Sequence, residues 1–238
     1  MTLLLKIHVE GFTEASFASR ILRPHFEEYD CSIAVIINKT SNSHGIAHRG
    51  GLSHYEQFRV NTRRLLKNKN AVVTTMIDYY GLPTDFPGMT DCGKFSTAPD
   101  RVSYLERMLD EDISGDWLSE ENFIPYIQLH EFEALLFSDI SVVDRVLSVG
   151  RESKYAELEE IRRMYAPEEI NTSPETAPSK RLKKLYPHYS KTVEGMAIAE
   201  RIGLAKMRKC CPHFNAWITE LEQVAKSRRE KEQPVSFT

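Results

Sequence analysis

Glu10, Asp78 and Glu131 are three carboxylates far apart in a 238-residue chain that share one local context. Each closes an apolar, largely β-branched or aromatic run: Leu3–Val9, Ala71–Ile77 and Phe123–Leu129. Each opens a turn or a helix start: Glu10-Gly11, Asp78-Tyr79-Tyr80-Gly81 and Glu131-Phe132-Glu133. The carboxyl ends of parallel strands lie on one edge of a sheet, and open α/β sheets bind their ligands there. Carboxylates gathered on such an edge raise one another's pKa unless a cation neutralises them. A hard divalent ion with oxygen ligands, Mg²⁺ or Mn²⁺, resolves that conflict. Glu14, Glu133, Asp85 and Asp139 lie within a few residues of the three and can join the ligand set. The expected chemistry is phosphoryl transfer, in which the metal polarises a phosphodiester, activates water or steadies a leaving oxygen. Glu10, or alternatively His130, would move the proton. Lys180 and Arg181 would contact phosphate. The competing reading is that each acid merely caps a helix, where the dipole favours it. Three acids at corresponding strand ends weigh toward function.

The elements that must position these residues follow from periodicity. Leu3–Val9 is a first strand, and Thr13–Glu28 a helix with Phe17, Ile21 and Leu22 on one stripe and Thr13 as its N-cap. Pro24 bends that helix or ends it early. Cys31–Ile37 reads as a buried parallel strand. The loop Asn38–His54 carries Lys39, His44, His48, Arg49 and His54. Its spacing fits no zinc pattern, and it reads as a basic loop near a substrate. Tyr55–Lys69 is a helix with a basic face, so that Arg63 joins Arg49 as an expected nucleic-acid contact. Ala71–Ile77 is a third strand, Pro99–Ile113 an acidic amphipathic helix and Phe123–Leu129 a fourth strand. The alternation βαβαβαβα predicts an α/β fold, a mostly parallel sheet with helices on both faces. After Val149 only helical pieces follow: Lys154–Tyr165, Lys180–Leu185, Thr192–Ile202, Leu204–Lys209 and Phe214–Lys226. The expected organisation is an α/β core over 1–150, a helical extension over 151–226 and a flexible tail over 227–238.

Composition is that of an ordinary globular protein, with 41% hydrophobic and 27% charged residues. No apolar run approaches the roughly 20 residues of a membrane helix, and the start lacks the basic leader of a signal peptide. Four Cys without framework spacing point to a reducing cytoplasm. Cys210-Cys211-Pro212-His213 reads as helix punctuation and packing. The net charge of −3 hides separated blocks: nine basic residues between Lys180 and Lys209 and eight acidic ones between Asp100 and Glu121. Such blocks suit a polyanion on one side and a protein on the other, or are simply solvated helix faces. Tyr79, Tyr80, Phe86 and Phe95, near the acids, can stack a base or hold their loop down.

Five motifs in order carry a family resemblance: Val9-Glu10-Gly11-Phe12-Thr13-Glu14, Thr75-Met76-Ile77-Asp78-Tyr79-Tyr80-Gly81-Leu82-Pro83, His130-Glu131-Phe132-Glu133-Ala134-Leu135-Leu136-Phe137, Pro174-Glu175-Thr176-Ala177-Pro178-Ser179-Lys180-Arg181 and Cys211-Pro212-His213-Phe214. Together they resemble the bacterial family called domain of unknown function 4276. That family is similar to the Toprim domains of the overcoming-lysogenization-defect nucleases. The resemblance implies a Toprim-like (Rossmann-like) core, a divalent-metal nuclease and an AAA/ABC-type ATPase partner in phage defence. By position Glu10 matches the first-strand glutamate and Asp78 the first acid of the Asp-x-Asp motif. Tyr80 stands where the second acid belongs. Asp85, Glu131 or Glu133 would supply the missing ligand, and Glu131 is favoured because it lies at a strand end.

The expected function is therefore a Mg²⁺- or Mn²⁺-dependent nuclease acting on DNA or RNA, tRNA included, with an ATPase partner. Homo-oligomerisation is left open. The rival is a non-catalytic regulatory or binding subunit of an ATPase complex, which the Tyr80 departure favours. Nucleotide hydrolysis is a poor third reading, because the chain has no Gly-rich Lys-Ser/Thr loop.

Overall fold

A computed structural model describes residues 2–38, 52, 54–115, 122–170 and 174–232. Five strands form one parallel sheet: β1 (Leu3–Val9), β2 (Cys31–Ile37), β3 (Ala71–Asp78), β4 (Phe123–Ile124) and β5 (Ile127–Gln128). The order is β2-β1-β3-β4, and β5 continues beside β3. In register, Val9 pairs with Ile37 on one side and with Met76 on the other, and Asp78 pairs with Gln128. The ends of β1, β3 and β5 are thus brought level by the hydrogen-bond ladder itself.

The expected fourth strand Phe123–Leu129 is split in two. Pro125 has no N–H to give the ladder. The Thr75 hydroxyl fills the gap, accepting from Tyr126 N–H at 2.8 Å and donating to Tyr126 C=O at 2.9 Å.

Residue alternation along the strands sends apolar side chains to two faces. Val73 and Ile77 of β3 pack under α3 (Tyr55–Leu66) and α4 (Ala98–Ser114), with Phe58, Val102, Leu105 and Leu109. Leu5, Ile7, Val9, Val72 and Met76 face the larger cluster. This is built from α1 (Phe12–Phe17), α2 (Arg23–Glu27), α5 (Glu133–Leu136), α6 (Ile140–Leu147), α7 (Tyr155–Met164), α8 (Pro178–Leu185), α9 (Met196–Ile202), α10 (Leu204–Cys210) and α11 (Pro212–Glu232). The helices after residue 150 share one hydrophobic cluster with β1 and α1.

The helix expected over Thr13–Glu28 is three segments, α1 and α2 joined by a π-helical turn at Ala18–Leu22. Gly11, not Thr13, is its N-cap, and Thr13 is buried inside the first turn. A second π turn, Lys191–Gly195, leads into α9, closed by Gly195 N–H donating to Ser190 C=O at 3.1 Å. The helix expected to stop at Lys226 runs on to Glu232, six residues into the segment expected as tail. Cys210 and Cys211 point at Ser138, with Cys211 Sγ 3.3 Å from its hydroxyl. Among the described residues no helix is long and apolar enough to cross a membrane.

α11 is tied to the sheet through Trp217, and at its start through His213, whose Nε2 lies 3.2 Å from the Ile127 carbonyl of β5. Trp217 stacks on Tyr126 with ring centroids 4.1 Å apart, and its indole N–H donates to the Thr74 hydroxyl at 2.8 Å. Trp217→Ala is expected to cost about 3–5 kcal/mol, the usual range for an emptied aromatic core site. Urea unfolding checks this, and a loss below about 1 kcal/mol would mean that α11 contributes little to the core.

Candidate functional site

The site starts where β1 ends. Glu10 leaves the strand and turns its carboxylate across to β3, where Oε2 accepts the Asp78 N–H at 3.1 Å. The turn Tyr79–Gly81 then passes over that carboxylate so closely that a Cβ on Gly81 would lie 2.9 Å from both Glu10 oxygens. A side chain at this position would push the Glu10 carboxylate aside, and glycine leaves it in place. The first turn of α1 places Glu14 beside Glu10, and that of α5 places Glu133 nearby. Glu14, Asp78 and Glu133 are all buried.

Lys191, from the second π turn, brings its ammonium among them. Nζ lies 2.9 Å from Asp78 Oδ2, 3.0 Å from Glu14 Oε1 and 3.7 Å from Glu133 Oε2. Of these contacts only that to Asp78 is aligned as a hydrogen bond. Asp78 Oδ1, Glu14 Oε1 and Glu133 Oε2 are left buried without a hydrogen-bond partner. Tyr189 donates to the other Glu133 oxygen at 3.2 Å.

The charges follow from this packing. Burial pushes the Asp78 carboxyl well above its usual range, and Glu14, Glu10 and Glu133 add to the push while Lys191 opposes it. Burial and then Glu14 raise Glu10, against the Asp78 N–H and Lys191. Burial also raises Glu133, against Lys191. Desolvation opposes the charge on Lys191, but Asp78, Glu133 and Glu14 outweigh it and hold the ammonium well above its ordinary value. If ionised, the four acids exceed this one cation by three charges.

The donor set suits a hard divalent ion: carboxylate oxygens, three of them without hydrogen-bond partners. In this arrangement the acids are drawn to Lys191, and no three His, Cys, Asp or Glu side chains among the described residues close on one point as metal ligands.

The other expected site residues have separate placements. Glu131 turns away from the cluster and caps α8, accepting from Ser179 N–H at 2.5 Å and from its hydroxyl at 3.0 Å. The residue before it, His130, has a left-handed backbone with φ +62°. Asp85 is exposed and accepts Tyr55 N–H at the start of α3. Asp139 caps α6 through Ser141 and Val142. His130 donates from Nε2 to the Glu168 carbonyl at 3.0 Å, its Nδ1 is buried without a partner, and burial lowers its pKa. Glu168 in turn caps α11 through His213 and Phe214 N–H. Lys180 is exposed on α8. Arg181 donates to Thr176 C=O and lies over the Tyr165 ring. Arg63 is turned to the end of α4, where it donates to the Asp112 and Ile113 carbonyls. Arg49 lies outside the described residues. Lys191 escaped sequence reading. Its only signal was membership of the basic block Lys180–Lys209.

Asp78, Glu10 and Glu133 have folded pKa values above their unfolded ones, so each favours folding below the ordinary carboxylate range near pH 4 and loses that contribution as pH rises through its folded value. Lys191 offsets the loss. In metal-free buffer Lys191→Met is therefore expected to destabilise the protein most near pH 8, with the deficit shrinking toward about pH 4.5. Its size should fall below the about 3–5 kcal/mol of a broken, fully buried pair, because 32% of the Lys191 side chain is exposed. Urea unfolding at the two pH values decides, and an equal deficit at both would reduce Lys191 to a packing role.

No curated protein sequence matches the chain. Two solved structures resemble it. The C-terminal region of the Xanthomonas campestris pv. campestris OLD protein has a TM-score of 0.46 at 13% identity, over 95% of this chain and 97% of that one. The C-terminal region of the Burkholderia pseudomallei OLD protein has a TM-score of 0.42 at 19% identity, over 94% and 97%. The family described as "Domain of unknown function (DUF4276)" matches residues 9–222. With its motifs and nearly its whole length inside that match, the chain belongs to the DUF4276 family.

Proposed function

We propose that this protein is a divalent-metal-dependent nuclease with a Toprim-like site, the effector of an ATPase-coupled phage-defence system. The observation that carries the reading is the group of Glu10, Glu14, Asp78 and Glu133 at one sheet edge, with three buried carboxylate oxygens lacking a hydrogen-bond partner. Such a group is costly unless a cation completes it. Glu14, Asp78 and Glu133 would hold Mg²⁺ or Mn²⁺, with Glu10 beside them. Glu14 and Glu133 then take the place of the acid missing at Tyr80.

When bound, the ion would polarise a phosphodiester and acidify a water molecule. The chain's own residues do the rest. Glu10, raised by burial and by Glu14, is shifted toward the pH at which a carboxylate serves as general base. His130 is the alternative base, kept neutral by burial, with Nε2 committed to Glu168 and Nδ1 bare. Lys191 offsets part of the acids' charge, and Lys180 on α8 offers a cation to phosphate. The substrate is nucleic acid, DNA or RNA, tRNA included. The ATPase partner and the defence role rest on the family resemblance described above.

One observation favours a second reading. The Lys191 ammonium already neutralises part of the acid cluster, as a non-catalytic subunit of an ATPase complex would need. Two measurements separate the readings. Mn²⁺ at about 100 times its Kd should stabilise a single-site binder by about 2.7 kcal/mol, roughly 5–10 °C in Tm for a chain of this size. Wild type should cleave DNA or RNA in Mn²⁺, and Glu10→Ala should not. No thermal shift, or equal cleavage by both proteins, overturns the nuclease reading.

A further inference from the structure

The carboxylate pocket is polar, but its surroundings are not. Among the described residues, six large apolar side chains are exposed, and three of them flank this site. Phe12, 76% exposed, stands between Glu10 and Glu14. Tyr80, 42% exposed, follows Asp78 by two residues. Val193, 65% exposed, follows Lys191 by two residues. Side-chain contacts join the segments that carry them: the Glu10 carboxylate lies against Gly81 and the Asp78 N–H, and the Lys191 ammonium reaches Glu14 and Asp78. Tyr80 is also propped from within, with its ring 5.7 Å from Tyr79 and 5.4 Å from His130, and its N–H bonded to the His130 carbonyl. Leaving a phenylalanine in water two residues from Glu10 and from Glu14 serves no packing purpose that the fold displays.

We infer that this rim takes an unpaired nucleic-acid strand, whose bases stack on Phe12 and Tyr80 while a phosphate sits at the acid pocket. The inference rests on the nuclease reading and names its substrate class. Stacking on exposed aromatic rings needs an open base face, which a duplex hides except at its ends. Duplex contacts are made instead by basic and polar side chains reaching phosphates and groove edges. Charge is arranged to match a strand. Helix α8 exposes Lys180, Lys183 and Lys184, and its first turn holds Ser179, which is bonded to Glu131 only two residues from Glu133. Bases over the aromatic rim thus leave the backbone near a line of cations. Tyr80, which departs from the Asp-x-Asp pattern, gains a role in this arrangement. It trades a ligand for a stacking surface.

Fluorescence anisotropy tests this on the full chain, in Ca²⁺ buffer, with a short labelled oligonucleotide offered single-stranded or annealed to its complement. The single strand should bind more tightly. Phe12→Ala and Tyr80→Ala should each weaken it about tenfold, within the range for loss of one stacked base. Phe12→Trp should retain binding. Phe12 is mostly exposed, so its truncation does not endanger folding. Equal affinity for both forms, or no effect of Phe12→Ala, overturns the inference. So does a change in self-association on sedimentation with oligonucleotide binding intact, which would make the rim a protein contact. Calorimetry with Mn²⁺ alone keeps the two claims apart. If metal binds without a strand preference, only this inference falls. If metal does not bind, the nuclease reading falls whatever the strand preference.

Discussion

Acids crowded around a single ammonium are the constraint that most of this architecture answers to. An ion pair at about 3 Å is worth roughly 5 kcal/mol at an effective dielectric near 20. Lys191 makes two contacts of that length, to Asp78 and Glu14. Set against them are the desolvation of every partner and the repulsion among the acids. The arrangement holds only if the chain delivers Lys191 from the far end of the sequence to the edge of β1 and β3. The helical half does so by packing α9 and its leading π turn against α1 and α5. The helices after residue 150 therefore complete the polar site as well as covering the sheet.

The sequence was most legible where local pattern and tertiary demand agree. β1, β2 and β3 were bounded to within a residue because buried parallel strands must be continuous apolar runs. Glu10 and Asp78 were legible as neighbours because strand ends in a parallel sheet have nowhere else to be. The split of the fourth strand was signalled by Pro125, but the Thr75 hydroxyl that bridges the gap is a tertiary detail.

The rest of the site was illegible for identifiable reasons. Glu131 and Glu133 differ by two positions, and strand-end logic favours Glu131. The chain passes through a left-handed residue at His130 and enters α5 at Glu133, and the two acids part, Glu131 to Ser179 and Glu133 to Lys191. Histidine adopts a left-handed backbone more often than most residues, but far less often than glycine, so its presence does not mark the bend in advance. Lys191 lies 113 residues from Asp78 in an all-helical stretch, and nothing in its spacing separates it from the eight other basic residues of its block. Arg63 shows the converse. A basic helix face suggested a polyanion, and the fold uses this arginine to satisfy the carbonyls closing α4.

The two π turns set the register of the helices that flank the site. Each lies next to the site, one just after Glu14 and one bearing Lys191. A turn closed from residue i to i+5 holds one residue more than a turn of α-helix, so it is what a single-codon insertion into an ordinary helix leaves behind. Removing one residue from Lys191–Gly195 would restore the regular spiral and swing the lysine by about 100° around the axis, away from the acids.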